Sequence, residues 1–122
     1  MAGSSPAGPT KISPMNYYHI WCDLLETHKA QEFCQAVNEY MGWLKEKKLI
    51  EGHKITRRKL GFGPPELGEF HIIIETTDLA QLEQNFRTVA KNEQPVARLH
   101  ANVYSRVKNF KSGLWRDYPD VF

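Results

Sequence analysis

The chain has 122 residues, of which 41% are hydrophobic, so it is long enough for one domain with an apolar core. Its formal net charge of +2 does not favour a dedicated nucleic-acid binder, and no apolar run is long enough to span a membrane. Its two cysteines, Cys22 and Cys34, are too few for a disulfide framework and fall on apolar faces, which predicts reduced thiols in a cytoplasmic protein.

The first folded element is expected to be a strand over residues 16–25. Residues 1–14 precede it and are rich in Gly, Ser, Pro and Ala, so we expect a disordered leader, with Met15 as the natural start. Even positions of the strand are mostly apolar, whereas odd positions mix polar and aromatic groups. Residues 69–75 repeat the pattern, which places His19 and His71 on the same kind of chemically varied face.

Between these two strands, apolar residues at helical spacing predict a helix that begins after an N-cap at Thr27. A strand over residues 53–60 then forms a hairpin with the strand over residues 69–75. The connecting Gly61–Gly68 turn contains glycines, but a Pro-Pro pair and a strand follow where a phosphate cradle needs a helix. The sequence predicts no cofactor.

A second helix with a capping box is predicted over residues 79–91, followed by a short turn of helix. The last strand is expected over residues 101–108, where it carries Tyr104 and Arg106. Residues 109–122 are too aromatic for a free tail, so we expect them to dock on their own subunit or across a dimer.

The order β-α-β-β-α-β is that of the ferredoxin-like fold, here a domain over residues 15–108. We expect an α+β sandwich with a four-stranded antiparallel sheet and both helices on one face, the first and third strands running parallel in the middle. Several predicted site residues then meet on the uncovered face, namely His19, Trp21, His71, Glu75, Tyr104 and Arg106.

This open face is too apolar for a solvated surface, since it carries Tyr17, Trp21, Ile73 and Tyr104. The topology and face pattern resemble the dimeric α+β barrel superfamily, in which two ferredoxin-like subunits close a cavity between their sheets. The resemblance covers residues 15–108 and implies a homodimer with a small-molecule ligand. The low net charge and the lack of a long apolar run predict no nucleic-acid or membrane partner.

A closer, local resemblance rests on three stretches: Asn16–Leu24, Thr56–Pro65 and Leu67–Ile72. They are similar to a family of small uncharacterised bacterial proteins with this fold. That family has no established activity, so it implies no catalytic residues.

His19, His71 and Glu75 are the candidate catalytic group. Two imidazoles and a carboxylate could act as acid and base on a small organic substrate. They could also bind a divalent metal, but no HxH, HxxxH or HExxH spacing supports this, and we predict no metal site. The third interpretation is that the histidines make ordinary hydrogen bonds in a polar subunit interface.

The superfamily resemblance implies a protein that binds, and could convert, a small aromatic or carboxylated metabolite in a cavity on the open face. His19 or His71 would carry the proton, and Tyr17, Trp21 and Tyr104 would form the walls. An anion would be anchored by Arg57 or Arg106. For Arg57 the favoured interpretation is that it protects an edge strand from aggregation. The alternative is a non-catalytic homodimeric interaction or accessory module with no open pocket.

Overall fold

The computed structural model describes residues 14–120, so all of the predicted leader except Pro14 lies outside the described residues. The elements, in chain order, are β1 (Asn16–Leu24), α1 (Ala30–Glu46), β2 (Gly52–Arg57), β3 (Phe70–Thr76), α2 (Leu79–Ala90), α3 (Val96–Tyr104) and β4 (Val107–Arg116). No helix among residues 14–120 has the length and apolar character needed to cross a membrane.

The four strands form one sheet in the order β2-β3-β1-β4, and every neighbouring pair is antiparallel. This confirms the predicted ferredoxin-like fold. The expectation that the first and third strands run parallel is wrong. The crossover through α1 makes β1 and β2 point the same way, and the β2–β3 hairpin then reverses the chain, so β3 enters between them antiparallel to both.

The apolar face of the sheet packs against the helices. Ile20 and Cys22 of β1 are 1% exposed, and Phe33 of α1 is fully buried against Phe70 of β3. Fully burying a side chain such as Phe33 contributes about 1.5–3 kcal/mol. The even-numbered positions of β1 and β3 thus form the core, as their alternation predicts, and the odd-numbered positions form the open face.

Local signals at the helix starts are partly confirmed. Asp78 accepts a hydrogen bond from the Gln81 backbone N–H at 2.8 Å, and the Gln81 side chain accepts one from the Thr77 backbone N–H at 2.8 Å. Thr27, however, is not the N-cap of α1, because a 3-10 turn over Thr27–Lys29 precedes the helix and no side chain caps it.

The last strand lies later in the chain than predicted. Residues 96–104 form α3, whose Val96, Leu99 and Val103 face the core, so the alternation seen around Val103 belongs to a helix. The strand is Val107–Arg116, and it pairs with β1. Most of the segment predicted as a tail is therefore a strand of the domain, and Tyr104 and Arg106 do not lie on the open face.

Candidate functional site

Pairing of β1 with β3 brings three predicted site residues together on the open face. Trp21 is directly opposite His71, and its ring stacks on the His71 ring with centroids 4.7 Å apart. The His19 ring stacks on both, at 5.4 Å from Trp21 and 5.0 Å from His71. Because odd positions of neighbouring strands share a face, this grouping follows from the alternation in the sequence.

The two histidines form a hydrogen bond. His19 Nδ1 lies 2.8 Å from His71 Nε2, so one nitrogen donates and the other must be unprotonated to accept. Burial lowers the pKa of His19, and burial together with the neighbouring His19 ring lowers the pKa of His71. A pair of neutral imidazoles that share one hydrogen bond offers one donor and one acceptor nitrogen for proton transfer.

Trp115 of β4 joins the rings of His19, Trp21 and His71, and it was not among the site residues predicted from the sequence. Its ring meets the His19 ring edge-on at 4.9 Å and the Trp21 ring at 5.8 Å. Gly113 makes room for it, since a Cβ there would lie 2.3 Å from the Trp115 ring. The alternation of Lys111, Gly113 and Trp115 was the available signal. We call His19, Trp21, His71 and Trp115 the histidine–tryptophan cluster.

Glu75 lies on the open face, four positions beyond His71 along β3, or about 13 Å between backbone positions. It is a diagonal cross-strand neighbour of His19, whose direct partner on β3 is Ile73. Its carboxylate lies over Gly52 of β2, where an added Cβ would be 2.9 Å from Glu75 Oε1. Among residues 14–120, no three His, Cys, Asp or Glu side chains are grouped so as to hold a metal ion.

Tyr17 is also on the open face, where it joins β1 to the chain after β4. Its hydroxyl donates to Asp117 Oδ1 at 2.8 Å, and this bond to a carboxylate, with burial, raises the pKa of Tyr17 to about 12. Asp117 Oδ2 in turn accepts the Met15 backbone N–H at 3.0 Å. Tyr17 thus has a structural partner that occupies its hydroxyl.

The two arginines of the β2 end point to opposite faces, as alternation predicts. Arg57 lies over the Phe70 ring on the helix side, and its Nε donates to Glu69 at 2.7 Å. Arg58 donates to the backbone carbonyls of Pro64, Leu67 and Gly68, and so holds the β2–β3 loop. The guanidinium groups are thus engaged within the fold, and β2 is an edge strand.

The last two predicted ligand-binding residues lie elsewhere. Arg106 donates to the Asn102 carbonyl at 2.8 Å and to Asn102 Oδ1 at 3.1 Å. Tyr104 lies on α3, on the helix-covered side of the sheet, with its ring 4.5 Å from the His100 ring. Both residues were expected on the open face because the last strand was predicted over residues 101–108.

Pockets occur on both sides of the sheet. At one end of the histidine–tryptophan cluster, a pocket of about 190 Å³ lies between Trp21, His71 and the β2–β3 loop. A cavity of about 610 Å³ lies on the other side, under α2. We call it the helix-side cavity; its lining comprises Tyr18, Tyr40, Met41, Leu44, Ile74, Leu82, Asn85, Phe86, Val89, Ala90, His100, Tyr104, Val107 and Phe110.

The helix-side cavity exists because α2 is held to the sheet by few side chains. Only Leu82 and Asn85 of this helix are buried, and Phe86 remains 47% exposed at the rim. Phe86 meets Tyr18 of β1 edge-on at 5.3 Å, and Phe110 of β4 meets Tyr104 of α3 at 5.7 Å. Aromatic pairs from four elements therefore form its walls.

Several polar groups that line the helix-side cavity have no hydrogen-bond partner among residues 14–120. Asn85 and Tyr40 are each 5% exposed, and neither side chain makes a hydrogen bond with another described residue. The same holds for the His100 ring and the Tyr104 hydroxyl. Buried polar groups are nearly always paired, so these are groups that a bound molecule or water can satisfy.

Burial also sets the protonation of this lining. It raises the pKa of Tyr40 to about 12 and also raises the pKa of Tyr104, while it lowers the pKa of His100. These groups are therefore neutral at pH 7. Sequence reasoning missed Asn85 as a site residue, although a polar side chain within the apolar stripe of Leu82, Phe86 and Val89 was a visible signal.

The model of a family of unknown function, DUF6614, matches residues 15–122. The chain belongs to this family. A comparison with curated proteins finds no match for this DUF6614 member.

Solved structures with the same fold include proteins described as dimeric and ferredoxin-like. One from an uncultured marine organism is 18% identical with a TM-score of 0.62, over 88% of this chain and 99% of that chain. One from Jannaschia sp. CCS1 is 11% identical with a TM-score of 0.62, over 83% and 97%. A dabb family protein from Mesorhizobium loti MAFF303099 is 14% identical with a TM-score of 0.57, over 84% and 95%. These likenesses establish the fold.

Proposed function

We propose that this protein is a homodimer whose subunits each bind a small aromatic metabolite in the helix-side cavity. The observation that carries the proposal is an apolar cavity of about 610 Å³ whose buried polar groups have no hydrogen-bond partner among residues 14–120. Ligand pockets are typically of this size, and they combine an apolar lining with a few polar groups that orient the ligand.

This assignment moves the ligand from the open face, where sequence reasoning expected it, to the opposite side of the sheet. The pocket beside Trp21 and His71 measures about 190 Å³, which is small for a metabolite. The open face is then the surface through which two subunits form the dimer. Its Trp115 is 55% exposed within a continuous set of aromatic rings, and such patches mark interfaces.

The related solved structures support a second copy as the occupant of the open face, because several are described as dimeric. The open face carries two tryptophans and two histidines, an aromatic and amphipathic composition that is common at subunit interfaces. Docking of two such faces would shelter the histidine–tryptophan cluster from water.

Proton transfer on the open face is the second candidate function. It is favoured by the 2.8 Å contact between His19 Nδ1 and His71 Nε2, which pairs an acid with a base. The Glu75 carboxylate lies over Gly52 of β2 and is not part of that contact. If neither site binds a ligand, the protein is the non-catalytic interaction or accessory module of the alternative hypothesis.

Ligand binding is tested by filling the helix-side cavity with a larger side chain and measuring the affinity for a fluorescent probe. N-phenyl-1-naphthylamine, whose fluorescence rises in apolar surroundings, is titrated into the parent and into Val89→Trp, in which the larger ring occupies the cavity. We expect saturable binding to the parent and a loss of at least tenfold in affinity for Val89→Trp. Gln84→Trp, on the exposed side of α2, is the matched control and should bind as the parent does. Equal binding to all three proteins, or no binding to the parent, would refute the proposal.

A further inference from the structure

We infer that the helix-side cavity selects an uncharged aromatic molecule that carries a hydrogen-bonding group, such as a phenolic hydroxyl or a ring carbonyl. This inference rests on the proposed function, because it names the ligand class of the same cavity. It narrows the sequence-based expectation of an aromatic or carboxylated metabolite to the first of these two classes.

The charge of the ligand is restricted by what lines the cavity. Of the fourteen described residues that line it, none is Lys, Arg, Asp or Glu. A carboxylate or ammonium group that entered would lose its hydration and find no opposite charge, which is the costliest form of burial. His100 is the one lining residue that could become a cation near neutral pH, and burial lowers its pKa.

The arginines that could anchor an anion are held away from the cavity. Arg57 is paired with Glu69 at 2.7 Å, and Arg106 donates to Asn102 at 2.8 Å. Neither is part of the lining. Recognition of a carboxylate ligand would need at least one such group to turn inward and abandon its present partner.

The ligand needs a hydrogen-bonding group because Asn85 and Tyr40 present polar atoms that it must pair with. Both side chains are about nineteen-twentieths buried, and neither has a hydrogen-bond partner among residues 14–120. An amide offers a donor and an acceptor, and a tyrosine hydroxyl offers both as well, so a hydroxyl or carbonyl on the ligand can be satisfied in either sense. A pure hydrocarbon would leave these groups unpaired, which is unfavourable in an apolar site.

The aromatic character of the ligand follows from the walls. Tyr18 and Phe86 form one edge-to-face pair, and Tyr104 lies 4.5 Å from His100 and 5.7 Å from Phe110. A flat ring placed between these groups gains edge-to-face and offset contacts in addition to the burial of its surface. A flexible chain of the same area gains only burial and loses more conformational entropy.

Three ligands that share one ring system test the inference in the unaltered protein: 2-naphthol, 2-naphthoate and naphthalene, titrated at pH 7.5 by calorimetry or by quenching of tyrosine and tryptophan fluorescence. We expect 2-naphthol to bind at least tenfold more tightly than 2-naphthoate and at least threefold more tightly than naphthalene. The alcohol 1-decanol tests the need for a ring and should bind more weakly than 2-naphthol.

The outcomes separate this inference from the proposed function. Equal or tighter binding of 2-naphthoate overturns the inference about charge and leaves a ligand-binding cavity. Equal binding of 1-decanol overturns the inference about the ring. If no probe binds at all, the proposed function itself fails.

A variant identifies the orienting group. Asn85→Leu should reduce the affinity for 2-naphthol at least threefold and leave the affinity for naphthalene unchanged or increased, because only 2-naphthol can hydrogen-bond to the amide. Gln84→Leu, one residue along α2 and exposed, is the control and should change neither affinity. Equal losses for both ligands in Asn85→Leu would contradict a hydrogen-bonding role for Asn85. The comparison of ligands in the parent decides the charge question even if the variant folds poorly.

Discussion

His19 Nδ1 lies 2.8 Å from His71 Nε2, across two neighbouring antiparallel strands and beneath the edge of Trp115. The protonation state of this histidine pair therefore affects the open face, which we assign to dimer assembly. Only one proton can lie between the two nitrogens, so a second one breaks the hydrogen bond and adds a positive charge to an aromatic patch. This relationship makes the stability of the fold sensitive to acid.

We predict that the histidine pair lowers stability as the pH falls from 7.5 to 5.5. The pKa values of His19 and His71 are below the ordinary value of 6.5 in the folded state, so the unfolded chain takes up protons first as the pH falls through that value. The free energy of unfolding therefore decreases below about pH 6.5. The pKa values of His53 and His100 are also lowered, so they add to the same loss.

Urea unfolding of the parent and of His71→Gln at both pH values measures the contribution of the pair. The variant should lose less stability between pH 7.5 and 5.5 than the parent does. His28→Gln, on the exposed 3-10 turn, is the control and should behave as the parent. A loss of the same size in His71→Gln would contradict the prediction.

Asn85→Leu should stabilise the ligand-free protein. The substitution removes a buried amide that has no hydrogen-bond partner among residues 14–120 and replaces it with an apolar side chain next to a cavity. Relief of that desolvation penalty contributes about 1–3 kcal/mol, which corresponds to a rise in Tm of at least about 4 °C for a domain of this size. Differential scanning calorimetry measures it, and Gln84→Leu should change Tm by less than half as much. A lower Tm for Asn85→Leu would show that the amide supports the fold instead of a ligand.

Trp115→Lys should abolish the dimer while the fold persists. Trp115 is 55% exposed in one chain, so a lysine can extend into water there, whereas two lysines in a shared apolar interface lose their hydration. Light scattering at micromolar concentration should give a dimer for the parent and a monomer for the variant, with unchanged far-ultraviolet circular dichroism. Gln84→Lys, on the outer side of α2, should remain dimeric. A parent that is monomeric at this concentration would remove the assignment of the open face to assembly.

Gly113→Ala should destabilise the protein through Trp115. The added Cβ would lie 2.3 Å from the Trp115 ring, so the ring must leave its place over His19 or the strand must shift. Overpacking of this kind costs about 1–3 kcal/mol. In a Trp115→Ala background the same substitution should cost less than about 0.5 kcal/mol, since the three heavy atoms nearest to the added Cβ all belong to Trp115. Additive effects of the two substitutions on chemical unfolding would contradict a direct contact.

Side-chain alternation predicts which residues of a strand share a face, but the surroundings of each residue depend on the rest of the fold. The alternation in β1 and β3 placed His19, Trp21 and His71 on one face correctly, because side-chain direction in a strand is a local property. Glu75 shares that face, four positions beyond His71, and its carboxylate lies over Gly52 of β2. Tyr104 was misassigned because residues 101–107 show both an alternating and a helical spacing, and burial of Val96, Leu99 and Val103 decides for the helix.

The sequence by itself determined the order of elements, the two unlike faces of the sheet and the capping of α2, because each depends on residues close together in the chain. The tertiary structure alone decided that β1 and β3 run antiparallel and that the last strand is Val107–Arg116. It also decided that Trp115 closes the histidine pair and that Asn85, Tyr40 and His100 meet around one cavity. The physical reason is that these contacts join residues far apart in sequence, and their free energy depends on how complete elements pack, which no local pattern encodes.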